Sequence, residues 1–243
     1  MTSYLSEEER EALRERYWSV RARMEEACRR CGRRPEDVTL IAVSKTKPVS
    51  MIEELAALGQ KDFGENHVQE IVEKEAEFPD VSYHMIGHLQ RNKVRKVVGK
   101  AVMIHSVDSL RLAEEISRCA VQKGLTVPVL VEVNVGNEES KYGFTFDEVE
   151  EAAARMALLP GIRVRGLMCV APNRENPEEN RPLFRKMREL SVDIRGKNTD
   201  NTEKGILSMG MTKDFEIAIE EGATHIRVGT ALFGSRNYGN TES

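Results

Sequence analysis

The apolar positions of the chain change rhythm near residue 38. Before it they recur every three or four residues, with Leu13, Tyr17, Val20, Met24, Ala27 and Cys31 on one face of a long amphipathic helix. Ser6, with Glu9 three residues on, forms a capping box at its start, and Gly32 supplies its stop. After it, short continuous apolar runs alternate with helical patterns. The runs span 39–45, 62–66, 82–87, 102–108, 127–135, 164–170, 205–211 and 225–234. Their Val, Ile, Leu and Met do not alternate with polar residues, which is what burial on both faces of a parallel sheet requires. Between them, Ser50 with Glu53 and Asp147 with Glu150 read as helix starts, and Gly59, Gly124 and Gly222 as helix ends.

Eight such units in 243 residues predict a single (β/α)8 TIM barrel with an additional N-terminal helix, in preference to a doubly wound sheet. The expected domain is 1–243, with residues 1–34 as a helix packed on the barrel and able to plug one end. The polar stretch 173–204 reads as a helix flanked by loops, matches no motif and is assigned no role.

Charge and composition narrow the function. With 36 basic and 40 acidic residues the net charge is -4, so the chain lacks the basic excess of a dedicated nucleic-acid binder. The local cluster at 91–100 reads as a solvated helix face with Val94, Val97 and Val98 turned inward. No run of 18 apolar residues suggests a membrane span, and the polar, acidic N-terminus is unlike a signal peptide, so a cytoplasmic monomer is expected. Cys28, Cys31, Cys119 and Cys169 read as reduced thiols, the Cys28/Cys31 pair as buried residues of the first helix.

The chemistry gathers at strand ends. Barrel enzymes place reactive groups at the C-terminal ends of strands, where Lys45 falls, followed closely by Pro48. An amine partly desolvated there, with Lys47 nearby, is biased toward the neutral nucleophile that forms a Schiff base. Ser208, Gly210 and Thr212 mark the seventh strand end, with Thr212 as helix N-cap; Gly229 and Thr230 mark the eighth, and together they suggest a phosphate cup. Arg227, within the eighth strand, needs an acceptor: a ligand ring nitrogen, or a carboxylate such as Glu65 or Glu132. A lysine, a phosphate cup and such an arginine are what pyridoxal 5'-phosphate requires.

The segments "AVSKTKP", "FGENHVQE", "HMIGHLQRNK", "RGLMCVAP", "LSMGMTKDFEIAIEEG" and "HIRVGTALFG" resemble, in order, the motifs of the pyridoxal phosphate homeostasis proteins, relatives of the barrel domain of alanine racemase. The resemblance spans nearly the whole chain. It implies that Lys45 carries the cofactor as a Schiff base, that Ser208, Gly210, Thr212, Gly229 and Thr230 surround its phosphate, that Arg227 faces its pyridine nitrogen, and that Asn66 lies beside its ring. It further implies buffering or transfer of the cofactor, with apo forms of pyridoxal phosphate enzymes as partners and no efficient turnover. A pyridoxal phosphate enzyme, above all an amino-acid racemase, is the alternative; it needs a second acid/base opposite the lysine. A metal site of His84, His88 and His105 is disfavoured, because His84 and His88 straddle a strand end.

Overall fold

The computed structural model describes residues 5–136, 142–197 and 205–234. Eight parallel strands close into a barrel in sequence order: β1 (Thr39–Val43), β2 (Asp62–Glu65), β3 (Ser82–Met85), β4 (Met103–Val107), β5 (Val127–Val133), β6 (Ile162–Cys169), β7 (Ile206–Ser208) and β8 (His225–Val228). Closure runs from Thr39 opposite His225 to Ala42 opposite Val228. Each expected apolar run contributes one strand, so the predicted fold is the observed one. Seven of the strands are shorter than their runs, because the runs continue as the loops and helix starts that line the barrel mouth; β6 begins two residues before its run and is one residue longer.

The helices in order are α1 (Glu7–Arg30), α2 (Val49–Ala57), α3 (Val68–Glu77), α4 (Val94–Val97), α5 (Leu110–Gln122), α6 (Val149–Ala157), α7 (Arg181–Lys197), α8 (Phe215–Glu220) and α9 (Thr230–Phe233). Ser6 and Glu9 form the expected reciprocal capping box. Helix α1 does not plug the barrel. It joins the outer layer against α2, α8 and α9, burying Leu13, Tyr17, Val20, Met24, Ala27 and Cys28, while Cys31 is only half-buried. Its arginines fasten the flanks: Arg10 and Arg14 reach the buried Glu54 of α2 at 2.9 and 2.6 Å, Arg16 donates to the Leu232 carbonyl, and Arg23 pairs with Glu216 of α8.

Three expected caps fall elsewhere. Pro48, whose fixed φ suits a helix entry, caps α2 and leaves the Ser50 hydroxyl buried without a partner. The turn before α6 begins at Thr145, whose amide and hydroxyl both donate to Glu148, so Asp147 caps nothing. The residue at the N-cap of α8 is Asp214, and Thr212 lies two residues upstream of it. The 91–100 segment behaves as expected, with Val94, Val97 and Val98 buried, and α7 lies within the polar stretch; 198–204 lie outside the described residues.

Most of the apolar core lies between strands and helices. Inside the barrel, Leu130, Met168 and Ile206 form a small separate cluster with Met103 packed against it, and polar side chains including His84, His105, Ser208 and Arg227 occupy much of the remainder. Strands β6 and β7 approach so closely at Gly166 (φ 150°) that a Cβ there would sit 1.9 Å from the Ile206 carbonyl oxygen. Gly166→Ala is expected to cost more than about 4 kcal/mol or to prevent folding. Gly124→Ala, at a left-handed helix end with open space around it, is expected to cost only about 1 kcal/mol. Urea titration of the two variants measures the difference.

Candidate functional site

A cavity of about 490 Å³ opens at the C-terminal mouth of the barrel. Lys45, after β1, and Asn66, after β2, line one side. Thr212, from the loop after β7, and Arg227, Gly229 and Thr230, from the β8 end, line the other. Val43, Ile86 and Met211 supply apolar wall. Six of the eight residues expected at the site therefore share one cavity.

The two exceptions have physical causes. Ser208 is fully buried beneath the wall, and its hydroxyl oxygen accepts from Arg227 Nη1 at 2.6 Å. Gly210 takes φ 89° so that the loop can tuck under α8, where a Cβ would lie 2.5 Å from Ala218; its carbonyl accepts the Arg227 amide at 3.0 Å. Neither offers a side chain to a ligand. Thr212 serves the lip of the cavity by accepting the Ala231 amide at 3.4 Å.

Arg227 is almost fully buried, and its hydrogen-bond partners are neutral: Ser208 and, from Nη2 at 2.7 Å, the Cys169 carbonyl. Burial pulls its pKa below the ordinary arginine value, while Cys169, Glu132 and Asp214 oppose this. Glu65, one of the carboxylates considered for it, pairs instead with Lys74 at 2.8 Å. Glu132, the other, keeps Oε2 buried with no hydrogen-bond partner.

Lys45 is placed by its neighbours. Lys74 of α3 donates to the Ser44 carbonyl at 2.8 Å and to Glu65, and the Ser44 hydroxyl donates to the same Glu65 oxygen at 2.6 Å. Burial raises the Glu65 pKa against the pull of Lys74. Beyond Lys45, Thr46 adopts φ 63°, a left-handed conformation that a β-branched residue rarely takes; Glu70, which also binds Lys74, accepts its amide at 2.6 Å. Lys47 turns away, donating to the Phe233 carbonyl at 3.3 Å. Lys74 is missed from sequence alone; the signal that would expose this network is a lysine three residues after Ile71 on the apolar face of α3. Gly87 is a further contributor: a Cβ there would lie 2.5 Å from the Asn66 carbonyl oxygen, so only glycine admits the Asn66 loop.

The three histidines considered for a metal divide between two places. His84 and His105 meet inside the barrel, Nδ1 to Nε2 at 3.0 Å, whereas His88 sits at the mouth, bonded to Asp108 at 2.9 Å and stacked on Tyr142. The cavity is lined by the amines of Lys45 and Lys213, the guanidiniums of Arg174 and Arg227, the amides of Asn66, Asn173 and Asn180, and the hydroxyls of Thr212 and Thr230. The Asp214 carboxylate in its wall is occupied by the Met211 amide and by Asn180. This set, against an apolar wall, suits a small anionic ligand with a flat ring.

The family model for the alanine racemase N-terminal domain matches residues 18–237. A pyridoxal phosphate homeostasis protein of Aquifex aeolicus is 45% identical over 226 residues, covering 92% of this chain and 98% of the relative. Its counterpart in Escherichia coli K12 is 41% identical over 225 residues, covering 90% and 94%. The solved structure of PipY from Synechococcus elongatus, with PLP bound, superposes with a TM-score of 0.76 at 35% identity, covering 91% of this chain and all of that one.

Glu132 generates a pH prediction. Burial, followed by repulsion from Asp108, raises its pKa to about 7 despite Arg227. Between the ordinary carboxylate value and 7 the folded state thus holds a proton that the unfolded chain releases, and stability falls as pH rises through this window. Glu132→Gln is expected to match the parent near pH 4 and to exceed it by about 2–3 kcal/mol at pH 8. Denaturant titrations at the two pH values check the sign.

Proposed function

Because the chain belongs to the family of the alanine racemase N-terminal domain and its close relatives are pyridoxal phosphate homeostasis proteins, we propose that it binds pyridoxal 5'-phosphate in the barrel-mouth cavity and buffers or transfers it. One observation carries the reading: Lys45, Asn66, Thr212, Arg227, Gly229 and Thr230, separated by up to the length of the barrel sequence, line a single cavity. When bound, pyridoxal phosphate supplies an aldehyde that condenses with an amine and a pyridine ring that can draw electrons.

The residues present fit that group. Lys45 stands at the lip with its backbone fixed on both sides, so its amine is the nucleophile for the aldehyde. Thr212, Gly229 and Thr230 surround the phosphate, and Asn66 flanks the ring. Arg227, held by Ser208 and the Cys169 carbonyl, offers donors toward the pyridine nitrogen. A guanidinium has no proton to give up at neutral pH, so the nitrogen stays unprotonated and the ring is a weak electron sink.

The same geometry favours a carrier over a racemase. Apart from Lys45, the titratable residues lining the cavity, among those described, are Arg174, Lys213, Asp214 and Arg227. Asp214 is committed to Met211 and Asn180, and Lys213 extends to Asn173, so among the described residues no histidine or tyrosine lines the cavity to oppose Lys45 as acid or base. On this reading residues 1–243 act as one cofactor-binding domain, a cytoplasmic monomer whose partners are apo forms of pyridoxal phosphate enzymes. Among the described residues no helix is long and apolar enough to cross a membrane.

Borohydride reduction of the loaded protein followed by peptide mapping is expected to place the adduct on Lys45 and none on Lys47, and an amino-acid panel to show no turnover approaching about 1 per second. An adduct on Lys47 would reassign the lysine. Turnover at that rate, lost in Lys45→Ala, would replace the carrier by an enzyme.

A further inference from the structure

A line of polar side chains crosses the barrel interior from its N-terminal end to Arg227. Asp62, the first residue of β2, meets His84 Nε2 at 2.9 Å; His84 Nδ1 meets His105 Nε2 at 3.0 Å; His105 Nδ1 meets the Ser208 hydroxyl at 2.9 Å; and that hydroxyl meets Arg227 Nη1 at 2.6 Å. We propose that Asp62 is a positioning residue for Arg227, fixing the tautomers of His84 and His105 and through them the orientation of the Ser208 hydroxyl.

Donors and acceptors must match along the line. Both ends of the line have a fixed sense, because a carboxylate only accepts and a guanidinium only donates. His84 therefore carries a hydrogen on Nε2, and Ser208 Oγ accepts from Arg227. If His84 is neutral, its Nδ1 accepts, His105 donates from Nε2, and the bare His105 Nδ1 receives the Ser208 hydrogen. Every hydrogen then has an acceptor and every link is used once. If His84 were an imidazolium, the sense would reverse beyond it. His105 would donate to Ser208, the hydroxyl hydrogen would lose its acceptor on the line, and a second cation would share the interior with Arg227.

The surroundings favour the neutral arrangement. His105 is fully buried and faces His84 from β3 and both His225 and Arg227 from β8; burial first, then these neighbours, push its pKa well below the ordinary value. His225, whose Nδ1 meets Thr224 Oγ1 at 3.0 Å, is likewise lowered, to about 4. The counter-charges near Arg227 are Glu132 of β5 and Asp214, with the Cys169 thiol of β6 pushed up to about 12 by burial and so neutral. Among the described residues, Asp62 is thus the carboxylate joined to the line by a hydrogen bond, at the end opposite the cavity.

The assignment is read on ligand-free protein and so stands or falls apart from the cofactor reading. Histidine-selective ¹⁵N correlation spectra at neutral pH are expected to show His84 and His105 each with Nε2 protonated and Nδ1 bare. A hydrogen on His105 Nδ1, or an imidazolium at His84, would overturn the proposal. The Asp62 side chain is 30% exposed, so Asp62→Ala opens no core cavity. In this variant His84 and His105 are expected to become tautomer mixtures, with at least a tenth in the minor form, and the Arg227 guanidinium resonances to shift. Asp62→Asn, whose amide oxygen can still accept, is expected to restore the parental pattern. Unchanged His105 and Arg227 signals in Asp62→Ala, or an Asp62→Asn spectrum identical to that of Asp62→Ala, would remove Asp62 from the role.

Discussion

The ion pair between Lys74 and Glu65 is the constraint from which the mouth of the barrel is built. Glu65 is fully buried and Lys74 nearly so, and an isolated charge at either position would be strongly destabilising. Neither side chain can therefore leave, and both hold Ser44, one by its carbonyl and one by its hydroxyl. The next residue, Lys45, has its backbone set by that clamp on one side and by the Glu70-bound amide of Thr46 on the other. The left-handed backbone of Thr46 persists because these surroundings over-determine it. A flexible amine is thus delivered from a rigid root, as the proposed attachment of the cofactor requires.

The barrel interior makes a different compromise. Barrels of this class are usually filled by layers of branched aliphatic side chains. Here Leu130, Met168 and Ile206 fill only a small region, and imidazoles, a hydroxyl and a guanidinium occupy much of what remains. The apolar burial that holds the fold together has moved outward, to the layer between strands and helices. That leaves the interior free to be a polar support for the cavity floor, at the cost of requiring each buried polar atom to find a partner.

How much of this was legible in the sequence follows from which forces are local. The eight apolar runs gave the strand order because double-sided burial imposes a continuous pattern that survives without tertiary information. Helix starts were less legible: Ser50, Asp147 and Thr212 have capping chemistry, yet Pro48, Thr145 and Asp214 stand where the chain turns. Lys45, Asn66, Thr212, Gly229 and Thr230 were readable because they follow strand ends, and Arg227 because a guanidinium within a strand demands an acceptor. Ser208 was misjudged as a cavity residue because the face a strand residue presents depends on register around the closed barrel. The same register joins His105 to Ser208 across 103 positions of sequence, a contact no local pattern announces.

Helix α1 precedes all eight strands, but two of the surfaces that cover its apolar stripe, α8 and α9, follow β7 and β8. At roughly 5–20 residues per second, the 24 residues from Glu7 to Arg30 wait about 10–40 s for those partners to leave the ribosome. During that interval α2 has emerged but α8 and α9 have not, so the stripe of Leu13, Tyr17, Val20 and Met24 is incompletely covered. The arginines that later clasp Glu54 and Glu216 flank that stripe, so the helix carries charge beside its apolar face until the barrel exists to receive it.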